Sequence, residues 1–186
     1  MRALLLRHGE SVHNAQRSGE PAAHSDQDQL TEKGVEQAHA AGAGLRDIGV
    51  TRLLSSPLRR ARETARAVGD ALGLDPEEIG YTGELTSGET FEDAVARVRR
   101  LKAEFEAGED GALPLLVTHG IFTRFFLLDS VLGERFEAPM AAGLWNLGSH
   151  NCGLSVFAHG ESHDPLGQPI PGWTCLTWME RPWSRP

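Results

Sequence analysis

Four side chains in this sequence have types and positions that suit chemistry on a phosphate group. His8 follows a short apolar run and precedes Gly9. An imidazole held there can attack phosphorus through its neutral nitrogen, forming a covalent intermediate that water later cleaves. The glycine beside it lets the backbone come close to a ligand. Arg7 adjoins His8, and Arg60 stands early in a helix-like stretch after a second apolar run. Guanidinium groups grip phosphate oxygens in pairs and keep their charge at any working pH. Phosphoryl transfer asks mainly for such positioning and charge stabilisation. His119 lies between an apolar strand-like run and an apolar helix-like run. On a rim shared with His8 it would hold a phosphate oxygen or stabilise transition-state charge. Each residue alone has a plainer reading: the histidines as hydrogen-bonded strand ends, the arginines as solvated helix-face residues like Arg59, Arg62 and Arg66.

The elements that must position these residues follow from pattern and punctuation. Residues 2–7 read as a buried strand ending on Arg7-His8-Gly9-Glu10, and residues 12–29 as a polar loop. Thr31 is an N-cap candidate for a helix running to about Ile48 and closing at Gly49. Leu53 and Leu54 form a short strand leading into Ser55-Ser56-Pro57, then a helix from about Leu58 to Leu72 ends at Gly73. Residues 74–88 read as loop, with Glu77 and Glu78 as a solvated pair at a helix start. A helix spans roughly Thr90 to Glu106, with Phe91, Val95, Val98, Leu101 and Phe105 at helical spacing. Leu113 to Thr118 is a strand, and Ile121 to Leu132 an apolar helix. Weaker strands are expected near Leu144–Leu147, Cys152–Ala158 and Thr174–Met179. This alternation predicts an α/β fold, a three-layer sandwich whose mostly parallel central sheet is flanked by helices, in a single domain over residues 1–186. Sites in such sheets form outside the carboxyl ends of the strands. Arg7-His8, Ser55-Ser56 and His119-Gly120 each sit at such an end.

Composition narrows the function classes. The 186 residues carry a net charge of −8. That argues against a general nucleic-acid binder. An enzyme for anionic substrates must then concentrate its Arg and His locally. Two cysteines, Cys152 and Cys175, are too few for a disulfide framework and read as reduced residues of a cytoplasmic protein. The apolar run Ala3 to Leu6 is too short for a signal or membrane segment. No cluster of carboxylates or Cys/His has metal-ligand spacing, so neither a metal nor another cofactor is expected.

Several blocks, in order, resemble the histidine phosphatase superfamily, in the branch that carries an Arg-His-Gly-Glu motif. Leu5-Leu6-Arg7-His8-Gly9-Glu10-Ser11 with Asn14 is similar to its signature. Leu30-Thr31-Glu32-Lys33-Gly34 with Gln37-Ala38 looks like its first helix. Ser55-Ser56-Pro57-Leu58-Arg59-Arg60-Ala61 with Thr64-Ala65 looks like its second block. Gly88-Glu89-Thr90 with Asp93 and Arg97 resembles its middle helix, Val117-Thr118-His119-Gly120 its second histidine block, and Asn151-Cys152-Gly153-Leu154-Ser155-Val156 its late strand.

The resemblance implies a phosphoglycerate mutase-like fold and a phosphohistidine on His8. Arg7, Arg60 and His119 would complete the phosphate pocket, with Asn14 and the Gly120 N–H as further phosphate contacts. The family also uses a carboxylic acid that protonates the leaving oxygen and then activates water. Glu84, which precedes Leu85 in the expected loop, is the candidate. Glu89 is the runner-up but fits the middle-helix block better. Phe91, Phe122, Arg124 and Trp145 are candidate pocket residues that could equally be core or surface. The short stretch before Thr90 favours an open site and hence hydrolysis of a small phosphorylated metabolite. The alternatives are a phosphoglycerate mutase and a phosphate-binding protein with weak turnover. No nucleic-acid or membrane partner is expected, and a homodimer is left open.

Overall fold

The computed structural model describes residues 1–17, 28–86 and 88–184. Six strands form one sheet: β1 Arg2–Arg7, β2 Arg52–Ser55, β3 Glu77–Glu78, β4 Pro114–Thr118, β5 Leu154–His159 and β6 Trp173–Glu180. Their spatial order is β3-β2-β4-β1-β5-β6. β3, β2, β4 and β1 pair in parallel, while β5 runs antiparallel to both β1 and β6. β4 is buried along its whole length, as suits a strand covered on both faces.

Helices α2 (Glu32–Leu45) and α3 (Arg59–Leu72) cover one face, and α4 (Phe91–Glu106) and α5 (Gly120–Leu132) the other. The side-chain period of two in a strand divides the core between them. Leu4 and Leu6 of β1 pack with Leu45, Ala61 and Val68, whereas Ala3 and Leu5 pack with Val98, Phe122 and Phe126. Thr31 caps α2 by accepting a bond from the Gly34 N–H, and Thr90 with Asp93 forms a reciprocal cap at α4. Gly73 ends α3 in the left-handed conformation expected at that position.

Several sequence expectations are corrected. Residues 12–17, read as loop, form a one-and-a-half-turn helix, α1 (Val12–Arg17). Its polar composition hid it, and its anchors are Val12 and Ala15, both buried. The rest of that expected loop, 18–27, lies outside the described residues. Glu77 and Glu78 form β3 rather than a helix start, because the chain there finds the open edge of β2. The segment expected as a strand near Leu144–Leu147 is largely a 3-10 helix, Ala138–Asn146, with only Leu144 buried. α2 stops at Leu45, before the expected Ile48, and Gly49 with its positive φ belongs to the following turn. Cys152 and Cys175 are free thiols, which burial pushes up to about 12 and about 11 respectively. No helix among the described residues is long and apolar enough to cross a membrane.

Candidate active site

The parallel pairing of β1, β2 and β4 brings their carboxyl ends to one edge of the sheet. There the His8 N–H donates to the Thr118 carbonyl (2.9 Å) and the Ser56 N–H to the Val117 carbonyl (2.9 Å). The His8 and His119 rings stand 5.1 Å apart, centroid to centroid. A cleft of about 480 Å³ opens over this edge, lined by Arg7, His8, Asn14, Arg60, Glu84 and Gly120 among others. Of the residues assigned from the sequence to the phosphate pocket or to the role of acid, with Glu84 as first candidate, it is lined by all but one. The exception, His119, is fully buried behind them.

Bonding determines which imidazole nitrogen of His8 is basic. Nδ1 lies 2.7 Å from the Gly9 carbonyl oxygen. A carbonyl only accepts, so Nδ1 carries the ring proton and Nε2 keeps its lone pair. Arg60 Nε donates to that Nε2 at 3.0 Å. Burial, then the adjacent Arg7 and Arg60 charges, hold the His8 pKa well below the ordinary histidine value. The imidazole is therefore neutral at working pH.

The turn that presents His8 is clamped from α2 and α3. A Cβ on Gly9 would lie 2.4 Å from the Gly34 carbonyl oxygen, and one on Gly34 only 2.0 Å from that of Glu10. Gly9 is thus needed for backbone packing against the start of α2. The Gly9 N–H donates to Thr64 Oγ1 (3.0 Å) and the Glu10 N–H to Gln37 Oε1 (2.9 Å). The Glu10 carboxylate takes a bond from Thr31 Oγ1 (3.0 Å) and an ion pair from Lys33 (2.9 Å). The sequence blocks around residues 30–37 and 64 therefore serve to hold the histidine turn.

His119 is similarly fixed. Ser56 Oγ accepts from the Leu58 N–H (3.3 Å) and lies 2.6 Å from His119 Nε2. His119 Nδ1 and Arg7 Nε are both buried with no protein partner among the described residues. Burial depresses the His119 pKa, helped by the neighbouring His8 imidazole and the Arg60 charge, and lowers that of Arg7 to about 10. Arg7 therefore remains a cation at neutral pH.

Of the two candidate acids, only Glu84 lines the cleft. Its carboxyl oxygens accept from the Leu85 and Ile121 N–H groups at 3.2 and 3.3 Å. Burial raises its pKa against those bonds and the Arg60 charge. Glu89 instead grips Arg97 with both carboxylate oxygens, at 2.6 and 2.9 Å. Arg97 in turn donates to the Tyr81 and Gly83 carbonyls (2.7 and 2.9 Å) and so tethers the segment that carries Glu84.

Several site residues escaped the sequence reading. Asn151 Nδ2 donates to the His8 carbonyl (3.1 Å) and to Asn14 Oδ1 (3.0 Å). The Ser149 carbonyl accepts from Arg7 Nη1 (2.8 Å). Asp28 forms an ion pair with Arg60 and accepts from the Arg59 N–H (2.8 Å). His13 and Ser149 also line the cleft. Only the late-strand block around Asn151 carried any signal, and it gave no role. Of the four undecided candidates, Arg124 and Trp145 line the cleft, while Phe91 and Phe122 belong to the core under α4 and α5. The described residues contain no group of three or more His, Cys, Asp or Glu side chains arranged to hold a metal ion.

Comparison with known proteins agrees with this geometry. Residues 3–81 match the model of the histidine phosphatase superfamily (branch 1). The chain is 28% identical to a protein of Erwinia tasmaniensis named "Probable phosphoglycerate mutase GpmB", covering 87% of this chain and 86% of that one. It superposes on mycobacterial glucosyl-3-phosphoglycerate phosphatase in complex with VO3 with a TM-score of 0.71 at 22% identity, covering 97% of this chain and 99% of that one. Phosphoserine phosphatase of Entamoeba histolytica in complex with 3-phosphoglyceric acid gives a TM-score of 0.71 at 18% identity, with 98% of each chain covered. Over residues 3–81 the sequence thus resembles the histidine phosphatase superfamily, and over nearly its whole length the chain shares the fold of these phosphatases.

Proposed function

We propose that this protein is a phosphatase that hydrolyses phosphomonoesters of small metabolites through a phosphohistidine on His8. The observation that carries the reading is the neutral imidazole. Its Nδ1 proton is tied to the Gly9 carbonyl and its Nε2 faces a cleft ringed by guanidinium groups. Arg7 Nε is a buried donor suited to a phosphate oxygen, and His119 Nδ1 is another when it carries the ring proton. Arg60 moves its Nε–H from His8 Nε2 to the phosphate as substrate enters. Nε2 then attacks phosphorus as the ester P–O bond breaks, and protonated Glu84 gives its proton to the departing oxygen. Water attacks the phosphohistidine next. Glu84, now a carboxylate, takes a proton from that water as the N–P bond breaks. Inorganic phosphate leaves and the imidazole is restored. The guanidinium groups supply the charge stabilisation on which phosphoryl transfer chiefly depends.

The position of Glu84 favours turnover over binding alone. The relatives named as mutases favour a second reading, in which the phosphoryl group passes to another hydroxyl instead of water. The test is phosphate release from p-nitrophenyl phosphate and a panel of phosphorylated metabolites, beside an isomerisation assay with and without bisphosphoglycerate. We expect hydrolysis that survives exhaustive chelation. His8→Ala should abolish it while leaving the circular dichroism unchanged. A phosphoryl-donor pulse should leave acid-labile, base-stable label on the wild type alone. Near-normal activity in His8→Ala would refute the reading, and strong bisphosphoglycerate-dependent isomerisation would replace it with the mutase.

A further inference from the structure

Arg60 touches the reacting nitrogen, yet its orientation is set from outside the cleft. Its Nε donates to His8 Nε2 (3.0 Å), and its Nη1 pairs with Asp28 Oδ1. The Nε and Nη2 donors share one edge of the planar group, the edge by which Arg97 grips Glu89. With Nη1 taken by Asp28, that edge of Arg60 is turned toward His8 and the cleft. Asp28 itself does not line the cleft.

Asp28 is held in place from two sides. Its Oδ2 accepts from the N–H of Arg59, the first residue of α3 (2.8 Å). Leu58, at the N-cap position, has no side-chain cap of its own, so a carboxylate from a distant segment caps the helix. The residues after Asp28 are tied to α3 and to the histidine turn. The Leu30 N–H donates to Glu63 Oε2 (2.8 Å), the Val12 N–H to the Gln29 carbonyl (3.0 Å) and the Thr31 N–H to that of Glu10 (2.9 Å). Contacts therefore run in a closed ring, from His8 through residues 10–12 and 28–31 to Arg60 and back to His8 Nε2. Resting on the phosphatase reading, we infer that Asp28 is a positioning residue, capping α3 with one oxygen and with the other aiming the Nε–Nη2 edge of Arg60 at the phosphate being transferred. A pivot at Nη1 lets the Nε–H leave His8 for the phosphate by a small rotation, with little side-chain freedom left to lose on binding. The carboxylate and the phosphate use different donors of Arg60 and so do not compete.

Asp28→Asn separates the two duties. The amide oxygen still caps the Arg59 N–H, while the amide nitrogen cannot accept from Arg60. This variant should melt within about 2 °C of the wild type, whereas Asp28→Ala should lose about 2–4 °C through the missing cap. Both should lose about tenfold or more in kcat/KM on one phosphomonoester. In an Arg60→Ala background, Asp28→Asn should cost less than about twofold, because the side chain that Asp28 aims is gone. Calorimetric affinity for orthovanadate, an oxyanion that binds without turnover, should fall by about tenfold in Asp28→Asn, so it decides the inference even if hydrolysis fails. An equal loss in the Arg60→Ala background would mean that Asp28 acts through the fold alone and would overturn the inference. So would vanadate binding that is unchanged or tighter in Asp28→Asn, the mark of a carboxylate that competes with the phosphate. Failure of p-nitrophenyl phosphate hydrolysis beside the expected vanadate affinities would strike the phosphatase reading alone.

Discussion

Arg59 and Arg60 are adjacent at the start of α3, and a helix turns about 100° between them. Arg60 reaches His8 Nε2, whereas Arg59 pairs with Glu63 (2.6 Å) and reaches Gln29 (3.1 Å). Arg60→Ala should therefore cost about 3 kcal/mol or more of transition-state stabilisation, on the order of a hundredfold in kcat/KM. Lysine at that position should rescue poorly, since it keeps the charge and loses the planar fork. Arg59→Ala removes a half-exposed ion pair and should cost well under about 1 kcal/mol. If Arg59→Ala proved the more damaging change, the assignment of Arg60 to the phosphate would fail. Glu84 makes a second prediction. Its raised pKa extends the acid form to higher pH than an ordinary glutamate, so kcat/KM should be high below that pKa and fall as pH rises through it. His8, held neutral well below its usual pKa, should add no limb near pH 6.5. Glu84→Gln should abolish the alkaline limb and slow alkyl phosphates by roughly 10²–10⁴-fold. p-Nitrophenyl phosphate should suffer far less, because its leaving group departs unprotonated. Equal losses on both substrates would remove Glu84 from the role of acid.

The contact between the histidine turn and the start of α2 belongs to the scale of elements. Gly34 lies so close to Glu10 that a methyl group at position 34 must push the two apart. Gly34→Ala should destabilise the fold by about 1–3 kcal/mol, as overpacking does. At about 2–4 °C per kcal/mol for a chain of this size, the melting temperature should drop by several degrees. Because the displaced segment carries His8, kcat should fall too at temperatures where the variant is folded. Thr31→Ala should cost about 1 kcal/mol through its lost cap. It also frees the Glu10 carboxylate from one of its two holders, Thr31 and Lys33. A Gly34→Ala protein with unaltered melting and rate would show that the turn and helix are not coupled.

Over the whole molecule, charge is placed locally. Arg7, Arg60 and Arg124 line the cleft at the carboxyl ends of the parallel strands. Glu106, Glu109, Asp110 and Glu161 line a second cleft at the amino ends of β1 and β4, where Glu161 pairs with Arg2 and the Met1 ammonium. A protein of net charge −8 can thus present a cationic cleft. Stability and activity are separable in space as well. Asp129 on α5 is buried, holding Lys102 (2.7 Å) and Arg99 (2.8 Å) of α4 away from the cleft. Asp129→Ala strands the buried Lys102 ammonium without its carboxylate and should cost about 3–5 kcal/mol. Thermal unfolding should show that loss, while kcat/KM well below the transition should stay within about twofold. A large loss of activity in a folded Asp129→Ala protein would mean that the α4–α5 packing reaches the site.

The sequence by itself indicated the order of the main strands and helices, the α/β class, and the histidines and arginines that the structure brings to one edge of the sheet. Those signals are local: apolar runs of strand length, a cap such as Thr31, and polar residues at the end of each run. It also marked Glu84 ahead of Glu89 through the order of motifs. Only tertiary structure decided what depends on contacts between distant segments. β3 exists because residues 77–78 find the edge of β2, which two glutamates do not announce. The loop at 147–151 folds over the carboxyl edge and holds Arg7, Arg124, His8 and Asn14 through backbone carbonyls and one amide. Carbonyl groups are common to every residue and carry no sequence signal. Glu89 was set apart from the site by its pairing with Arg97, eight positions along the chain. The basic nitrogen of His8 was likewise fixed by where the Gly9 carbonyl points, and residue type does not encode that direction.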